Sequence, residues 1–282
     1  MTDQADPTQE VLRVWEGVAP GWERYRRRLI ESLRPVSDWL VEAIAPSAGE
    51  TVLELAAGPG ETGFVAADRV GPSGRLISTD LAPGMVGAAR RGAEARGVGN
   101  VEFRVMDAQR MDLPDASVDA VLSRFGFMLM PEPAKALSET HRVLKPGGRL
   151  AFAVWGPPER NLWIGVIGMT LTQLGVVPPG DPFAPGGIFS LSPPDATRDL
   201  TVAAGFTGVR VEEIAVVQRF ETFDEYWDFQ TEIAGPLAVL IRSLSEEDAS
   251  RVRTAVEEAA TSFKTSAGLE FPGLALGTAA AK

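Results

Sequence analysis

The chain has 282 residues, with 38 acidic and 27 basic side chains, which gives a formal net charge of −11. A chain of this length is expected to form one large domain, or a core with an inserted lid, around a sizeable hydrophobic core. The acidic residues are spread along the chain without a compensating basic tail, so no surface that tracks nucleic-acid phosphates is expected. We therefore predict no nucleic-acid partner.

Cysteine is absent, which excludes disulfides and any catalytic or zinc-binding role for a thiolate. No metal site is predicted. No apolar run approaches the roughly 20 residues that a membrane helix requires, and the polar, acidic start of the chain is unlike a signal peptide. We therefore expect a cytoplasmic protein without a membrane span.

Residues 1–47 are predicted to form three short helices. Pro20 and Pro35 suit the first turns of the second and third helices, because proline is favoured at the first helical position. Trp22 or Tyr25 could contact a bound cofactor, but we interpret both as packing residues, because aromatic residues on amphipathic helices more often serve this role. The third helix carries an apolar stripe that should pack on a sheet, formed by Val36, Trp39, Leu40, Ala43 and Ile44.

A glycine-rich turn follows the first predicted strand, and a helix is expected to start from it. Its glycines are Gly58, Gly60 and Gly63, a Gly-x-Gly-x-x-Gly spacing that also fits a dinucleotide site. Glu54 stands at the end of the strand. A carboxylate there suits a ligand with an ammonium group and a sulfonium, and it is unfavourable beside a pyrophosphate, so it favours S-adenosylmethionine over NAD.

Strands and helices alternate over residues 51–155, which predicts a parallel sheet covered by helices on both faces. Asp80 ends the second strand, where a carboxylate can accept hydrogen bonds from both ribose hydroxyls. The third strand leads into Asp107-Ala108, which can meet an adenine amino group beside a small apolar residue. Because the carboxyl ends of parallel strands share one edge, four residues are expected to gather there: Glu54, Asp80, Asp107 and Ser123.

Beyond Trp155 the composition changes, and a loop dense in proline and glycine over 177–187 is expected to lie at the surface or at a lid edge. A closing antiparallel strand is predicted over 269–278. A helix near 161–175 is predicted before the loop. After it we predict helices near 193–204, 222–241 and 245–266, and a strand near 207–219.

The ordered motifs over residues 50–156 resemble the class I S-adenosylmethionine-dependent methyltransferases. Within them, the chain is similar to the small-molecule group with a methyltransferase type 11 domain that includes ubiquinone and menaquinone C-methyltransferases. Ala56 stands where many relatives have the first glycine of the turn, and we expect this small-for-small exchange to leave cofactor binding intact. The motifs that carry the resemblance are the turn over 54–60, Asp80, Asp107-Ala108, the run over 119–127 and the run over 142–148.

The resemblance implies S-adenosyl-L-methionine as the cofactor and a Rossmann-like α/β fold. The expected sheet has seven strands, mostly parallel with the last antiparallel, with N-terminal helices and a helical lid. Residues 1–47 would cover the cofactor cleft, 48–156 would form the cofactor-binding core, and 157–282 would supply lid segments and the last two strands. The cofactor-binding residues that the resemblance implies are Glu54, Ala56, Gly58, Gly60, Asp80, Leu81, Met85, Asp107, Ala108 and Ser123.

Each of these groups has an expected partner on the cofactor. Gly58 and Gly60 would give close backbone approach to the methionine part, and Glu54 would bind its amino group, directly or through water. Asp80 would bind the ribose. Asp107 and Ala108 would contact the adenine.

No catalytic base is assigned, because methyl transfer from a sulfonium depends mainly on alignment. His141, the only histidine, is expected to be structural. The acceptor pocket is predicted to use Phe125 and Phe127, which follow the strand beside the cleft. Arg124 would bind either a carboxylate or carbonyl of the acceptor, or a neighbouring acid.

The sequence therefore predicts methyl transfer from S-adenosylmethionine to carbon or oxygen of a hydrophobic small molecule, such as a quinone, polyketide or aromatic metabolite. An NAD(P)-dependent oxidoreductase is an alternative, although no convincing Tyr-x-x-x-Lys pair is present. A non-catalytic S-adenosylmethionine-binding regulator is another. A closed lid with no void beside the methyl position would favour the regulator.

Overall fold

A mostly parallel β-sheet forms the centre of the computed structural model, which describes residues 6–282 apart from the side chain of Pro194. The strands are β1 (Thr51–Glu54), β2 (Arg75–Asp80), β3 (Val101–Val105), β4 (Val118–Arg124), β5 (Leu144–Trp155), β6 (Thr207–Phe220), β7 (Lys264–Thr265) and β8 (Gly268–Ala281). Seven of them lie side by side in the order β3-β2-β1-β4-β5-β8-β6, and the two-residue β7 pairs with β8.

The direction of the strands confirms the predicted sheet. Neighbours among β1 to β5 pair in parallel, whereas β8 is antiparallel to both β5 and β6. The central strands are rich in branched apolar residues that are buried, as expected for a sheet covered on both faces. This arrangement puts the carboxyl ends of β1, β2 and β4 at one edge.

Ten helices surround the sheet in the part of the chain that the structure describes. They are α1 (Pro7–Arg24), α2 (Arg26–Ile44), α3 (Glu61–Val70), α4 (Pro83–Arg96), α5 (Pro133–Val143), α6 (Leu162–Gln173), α7 (Pro194–Ala203), α8 (Phe223–Ile233), α9 (Pro236–Ser243) and α10 (Glu246–Ala260). Residues 6–282 contain no helix long and apolar enough to cross a membrane.

The N-terminal region forms two helices instead of the predicted three; residues 1–5 of this region lie outside the described residues. Pro20 lies inside α1 and Pro35 inside α2, and the only break between the helices is at Tyr25. An interior proline costs about 3 kcal/mol of helix stability. Packing of α1 on α4 and α8, and of α2 on the sheet, offsets this cost.

The predicted apolar stripe of α2 is confirmed as part of the core. Val36, Leu40 and Ile44 are completely buried where α2 packs across β4, β5, β6 and β8. Trp39 is only partly buried, and its indole N–H donates to Glu212 Oε2 at 3.0 Å. This packing fixes α2 over the half of the sheet that contains the end of β4.

The C-terminal half follows the prediction except at two helix boundaries. The predicted helix over 222–241 is divided into α8 and α9, because Gly235 has a φ of 51° and Pro236 starts a new helix. The predicted helix over 245–266 ends at Ala260, and the chain then enters β7. The expected closing antiparallel strand is confirmed as β8.

Candidate functional site

The glycine-rich turn joins β1 to α3 and borders a cavity at the carboxyl ends of the strands. Gly58 has a φ of 55° and Gly60 a φ of 85°, a region that glycine adopts without steric cost. A Cβ at Gly58 would meet only the Trp22 ring at 3.7 Å, so the backbone of Gly58 is open to the cavity. A Cβ at Gly60 would lie 2.8 Å from Phe64 Cζ, and Gly60 does not line the cavity.

Ala56 adopts a left-handed conformation with a φ of 49° and lines the cavity. This conformation costs an L-residue roughly 1–2 kcal/mol. Ala56 packs tightly against Gly126, which follows β4, because a Cβ at Gly126 would lie only 2.7 Å from Ala56 Cβ. The position therefore demands a small residue, and alanine fills it at the cost of backbone strain.

The Glu54 carboxyl turns away from the cavity and towards the start of α3. Its Oε1 accepts a hydrogen bond from the Gly63 backbone N–H at 2.8 Å, and Oε2 accepts one from Ser78 Oγ at 3.3 Å. A Cβ at Gly63 would overlap Glu54 Oε2, so the third glycine of the motif makes room for this carboxyl. Burial raises the pKa of Glu54 to about 8, against the opposing effects of the Gly63 N–H and Arg124.

Asp80 lies at the end of β2 and lines the cavity, together with Leu81 and Met85. Its Oδ2 accepts from the Gly58 N–H and its Oδ1 from the Ala82 N–H, both at 2.9 Å. Burial raises the pKa of Asp80 to about 6. Each carboxylate oxygen has a second lone pair, so Asp80 retains the capacity to accept further hydrogen bonds from a ligand.

Asp107 and Ala108 also line the cavity, and a glutamine holds the acid in place. Asp107 Oδ1 accepts from the Gln109 backbone N–H at 2.8 Å and from its Nε2 at 3.1 Å. Gln109 Oε1 in turn accepts from the Glu132 N–H at 2.8 Å. The sequence prediction did not include Gln109, because a single glutamine after a strand belongs to no motif.

The end of β4 supplies a partly buried cation, Arg124. Arg124 lines the cavity, and its Nη1 donates to Ser37 Oγ at 3.0 Å. Ser37 Oγ and Thr62 Oγ1 are also hydrogen-bonded, at 2.9 Å. Burial lowers the pKa of Arg124. The preceding Ser123 is completely buried, and its Oγ has no hydrogen-bond partner within residues 6–282.

Phe125 and Phe127 were both predicted to line the acceptor pocket, but their side chains point in different directions. Phe125 lines the cavity, with a φ of 63° and its ring stacked on Trp155 at 4.0 Å. Phe127 is completely buried against Phe152, with ring centroids 4.9 Å apart, and it does not line the cavity. A 3₁₀ turn over Phe127–Leu129 produces this difference, since it directs Phe127 to the core and Met128 to the cavity.

A roof of helices closes over the aromatic part of the cavity. Trp22 of α1 lines the cavity, and its indole N–H donates to the Ile233 carbonyl of α8 at 3.0 Å. Tyr25 packs edge-to-face on Phe229 at 5.3 Å and does not line the cavity. Sequence reasoning missed Phe229, Ile233 and Gln218, because their contribution depends on long-range packing.

His141 lies away from the cavity. Its ring packs edge-to-face on Phe206 at 5.1 Å, and burial lowers its pKa. Within the described ranges, no cluster of three or more His, Asp or Glu side chains is arranged to hold a metal ion.

Comparisons with known proteins agree with this geometry. Residues 52–148 match the family described as "Methyltransferase domain". The chain is 37% identical over 128 residues to the aklanonic acid methyltransferase DauC of Streptomyces sp. (strain C5), covering 45% of this chain and 58% of that one. It is 36% identical over 150 residues to the demethylmenaquinone methyltransferase of Thermus thermophilus, covering 50% and 67% of the two chains.

A putative methyltransferase from Bacillus halodurans has a similar solved structure. The TM-score is 0.56 at 22% sequence identity, over 87% of this chain and 98% of that chain. A likeness at this level of identity shows the shared fold.

Proposed function

The chain belongs to the class I S-adenosylmethionine-dependent methyltransferases, and on this basis we propose that it methylates a hydrophobic small molecule. The observation that carries the proposal is one continuous cavity. It runs from Asp80, Asp107 and the glycine-rich turn into a chamber lined by Trp155 and Trp163. Polar anchors at one end and aromatic walls at the other are the composition expected of a cofactor site joined to an acceptor site.

The residues at the polar end fit S-adenosyl-L-methionine. Asp80 is fixed by two backbone N–H groups and can still accept bonds from ribose hydroxyls. Asp107 and Ala108 would contact the adenine, and a ligand can approach the open backbone of Gly58 closely. Further contacts are proposed for three predicted residues beside them: Ala56, Leu81 and Met85.

Three predicted residues would act through the shape of the site. Glu54 holds the start of α3 through Gly63, so we assign it a positioning role for the methionine part. Gly60 permits the tight packing of the turn on Phe64. Ser123 does not line the cavity; its Oγ, which has no hydrogen-bond partner within residues 6–282, lies beside Gly126, which packs against Ala56 of the turn.

When bound, S-adenosylmethionine supplies an electrophilic methyl group and leaves as neutral S-adenosylhomocysteine. The chain's own contribution is to orient the nucleophilic carbon or oxygen and to exclude water. Among the described residues that line the cavity, the titratable ones are Asp80, Asp107 and Arg124. None is assigned as a catalytic base. The two acids are proposed to bind the ribose and adenine of the cofactor, and an arginine stays protonated.

The two alternatives are less well supported. An NAD(P)-dependent oxidoreductase conflicts with the family to which the chain belongs. A non-catalytic regulator was expected to lack a void beside the methyl position, and the continuation of the cavity to Trp163 argues against it. We retain a cytoplasmic location as a proposal. The absence of a nucleic-acid partner is also a proposal, and the net charge of −11 supports it.

Calorimetric titration with S-adenosylhomocysteine and, separately, with NADH tests the cofactor. We expect saturable binding of S-adenosylhomocysteine alone. Asp80→Ala should weaken it by about 1–3 kcal/mol, because ribose hydroxyls would lose their acceptor. Asp199→Ala, which removes an exposed acid of α7, is the matched control and should leave the affinity unchanged. Equal affinity in wild type and Asp80→Ala would contradict the ribose assignment, and binding of NADH alone would overturn the proposed function.

Uptake of labelled methyl groups tests the acceptor class. Reduced naphthoquinones and hydroxynaphthalenes are incubated with the protein and labelled S-adenosylmethionine, and the products are separated by chromatography. Labelled product from at least one aromatic probe is the expected result. Label found only on added RNA or protein would contradict a hydrophobic small-molecule acceptor.

A further inference from the structure

Two polar side chains, the partly buried Arg124 and the buried Gln218, face the aromatic half of the cavity. Arg124 enters from the end of β4, and Gln218 enters from β6. Most of the remaining lining in this half is apolar, including Leu33, Trp155 and Phe229. A polar group that is buried without a partner is destabilising, so a ligand that satisfies both groups would bind preferentially.

Arg124 is a cation without a matching anion nearby. Among the described residues its guanidinium has one hydrogen bond, from Nη1 to the neutral Ser37 hydroxyl, and no carboxylate within ion-pair distance. Glu54 is the acid that acts most strongly on Arg124, but the two form no ion pair, and the Glu54 oxygens accept hydrogen bonds from Gly63 and Ser78. An anionic oxygen entering the cavity would form charge-assisted hydrogen bonds with this guanidinium.

Gln218 is an amide whose oxygen has no protein partner. Its side chain is only 2% exposed, and Oε1 lacks a hydrogen bond within the described part of the chain. The residues of α2 and α8 that line the same cavity are all apolar: Leu29, Leu33, Phe229 and Ile233. Gln218 Oε1 is therefore available to accept a hydrogen bond from a ligand.

The strand register places the two groups at different levels of the cavity. Arg124 lies opposite Ala153 of β5, which pairs with Gly277 of β8, and Gly277 pairs with Glu212 of β6. Gln218 lies six residues further along β6, about 20 Å along the strand at a rise of about 3.3 Å per residue. Arg124 therefore belongs to the floor of the chamber, at the sheet edge, and Gln218 to its upper wall.

The aromatic walls indicate a flat ligand. The rings of Phe125 and Trp155 are stacked with only 12° between their planes, and Trp163 lies 4.9 Å from Trp155. Both tryptophans line the cavity. Planar side chains contact planar rings over the largest area, in offset-stacked or edge-to-face geometry.

From these features, and resting on the function proposed above, we propose that the methyl acceptor is a planar aromatic acid with two polar ends. Its anionic oxygen accepts hydrogen bonds from Arg124, and a hydroxyl at the far end donates to Gln218 Oε1. A neutral hydrocarbon ring would fill the chamber but would leave the guanidinium and the amide without partners. Arg124 and Gln218 thus determine acceptor specificity and its orientation.

Two isosteric probes test the anion site. 2-Naphthoate and 2-naphthamide are titrated into the complex with S-adenosylhomocysteine, and binding is followed by quenching of tryptophan fluorescence. We expect naphthoate to bind at least about tenfold more tightly, since it alone carries the anion. Arg124→Met should abolish this preference, and Arg124→Lys should retain part of it, because it keeps the charge but loses the planar donor geometry.

A third probe tests the proposed contact between the far end of the ligand and Gln218. 6-Hydroxy-2-naphthoate adds a hydroxyl opposite the carboxylate, and we expect it to bind more tightly than 2-naphthoate in the wild type. In Gln218→Leu this gain should disappear while 2-naphthoate binds as before. Arg124→Met should therefore change only the preference for the carboxylate, and Gln218→Leu only the gain in affinity from the hydroxyl.

The affinity for S-adenosylhomocysteine is measured in every variant and distinguishes the outcomes. If Arg124→Met weakens S-adenosylhomocysteine as much as naphthoate, Arg124 binds the cofactor's carboxylate and the inference is wrong. Equal binding of naphthoate and naphthamide, or of neither, to a wild-type protein that binds S-adenosylhomocysteine would also overturn it. Loss of S-adenosylhomocysteine binding by the wild type would instead overturn the proposed function.

Discussion

At the scale of single residues, the Glu54 carboxyl links stability to pH. Burial raises its pKa from 4.5 to about 8, so the folded state holds its proton more tightly than the unfolded state does. The resulting contribution to stability is complete below the unfolded pKa and is lost as the pH rises towards about 8. The Asp80 carboxyl has the same kind of effect at lower pH, because burial raises its pKa from 3.8 to about 6.

We predict that the Glu54→Gln variant loses less stability than the wild type when the pH rises from about 6 to about 8. One proton changes the free energy of unfolding by at most about 1.4 kcal/mol per pH unit. Glutamine keeps an oxygen for the Gly63 N–H but cannot ionise, so its profile should be flatter. Urea denaturation across this range measures the difference, and parallel profiles would contradict it.

Gly60 and Gly97 allow a steric prediction with an internal control. Both have positive φ, at 85° and 69°, but a Cβ at Gly60 would meet Phe64 and Ala89 whereas one at Gly97 would meet nothing within 4 Å. Gly97→Ala should cost about 1 kcal/mol from backbone strain alone. Gly60→Ala should cost roughly 1–3 kcal/mol more, from overpacking.

Thermal or urea unfolding of both variants gives these values. Equal destabilisation of Gly60→Ala and Gly97→Ala would show that the turn is free to relax, and that packing on Phe64 does not demand a glycine.

Residue-level prediction succeeded where a motif fixes a backbone position and failed where a side chain chooses between two directions. Asp80 and Asp107 lie beside the cavity as their strand-end positions indicate. The sequence spacing could not show that Glu54 turns to Gly63, or that a 3₁₀ turn buries Phe127. Gln218 carries no local signal, because only the curvature of a distant strand brings it to the cavity.

At the scale of helices and strands, hydrophobic runs predicted the elements better than proline predicted their ends. The strands from β1 to β6 and the stripe on α2 were predicted from apolar patterns. Pro20 and Pro35 were interpreted as helix starts, but tertiary packing keeps α1 and α2 continuous across them. The helix propensity of one residue changes helix stability by a few kcal/mol at most, about as much as a modest packing contact. It therefore does not determine where a helix ends.

Asn161 joins three elements, and its replacement should weaken their junction. This completely buried side chain follows β5; its Nδ2 donates to the carbonyls of Gly156 and Leu274, and its Oδ1 accepts from the Leu274 N–H. We predict that Asn161→Ala lowers the free energy of unfolding by roughly 2–4 kcal/mol, because buried backbone groups of β5 and β8 lose their partners.

The matched control is Asn100→Ala. Asn100 is only partly buried, and its amide also donates to two carbonyls, those of Ala67 and Gly71. Water can replace these bonds, so the loss should be smaller. An equal or smaller effect at Asn161 in denaturant titrations would contradict the proposed junction.

At the scale of the whole molecule, ligand binding should tighten the roof. Residues of α1 and α8 line the cavity, and the hydrogen bond from Trp22 to the Ile233 carbonyl connects them. We predict that S-adenosylhomocysteine slows amide exchange in α1 and α8. It should also raise the unfolding free energy by about 2.7 kcal/mol at about 100 times Kd.

Hydrogen exchange read by mass spectrometry, with and without S-adenosylhomocysteine, measures the protection, and α10 serves as the internal control because it contributes no lining residue. NADH at the same concentration should produce no change. Uniform protection of all helices would indicate global stabilisation without closure of the roof.

The overall topology was predictable because alternating strands and helices, together with the motif order, correspond to few arrangements. The roof was not predictable in detail. It depends on contacts between residues far apart in the chain, such as the Trp22–Ile233 bond across 211 positions. No periodicity within either helix specifies such a partner.

The position of β8 has a consequence for how the protein is made. β8 occupies residues 268–281 yet lies between β5 and β6, and β6 borders no other strand in the described sheet. During synthesis from the N-terminus, β5 and β6 therefore leave the ribosome long before the strand that joins them. Until residue 281 has emerged, two unpaired edges are exposed to other chains. Co-translational folding would therefore stop at a half-sheet until β8 has emerged and can pair with β5 and β6.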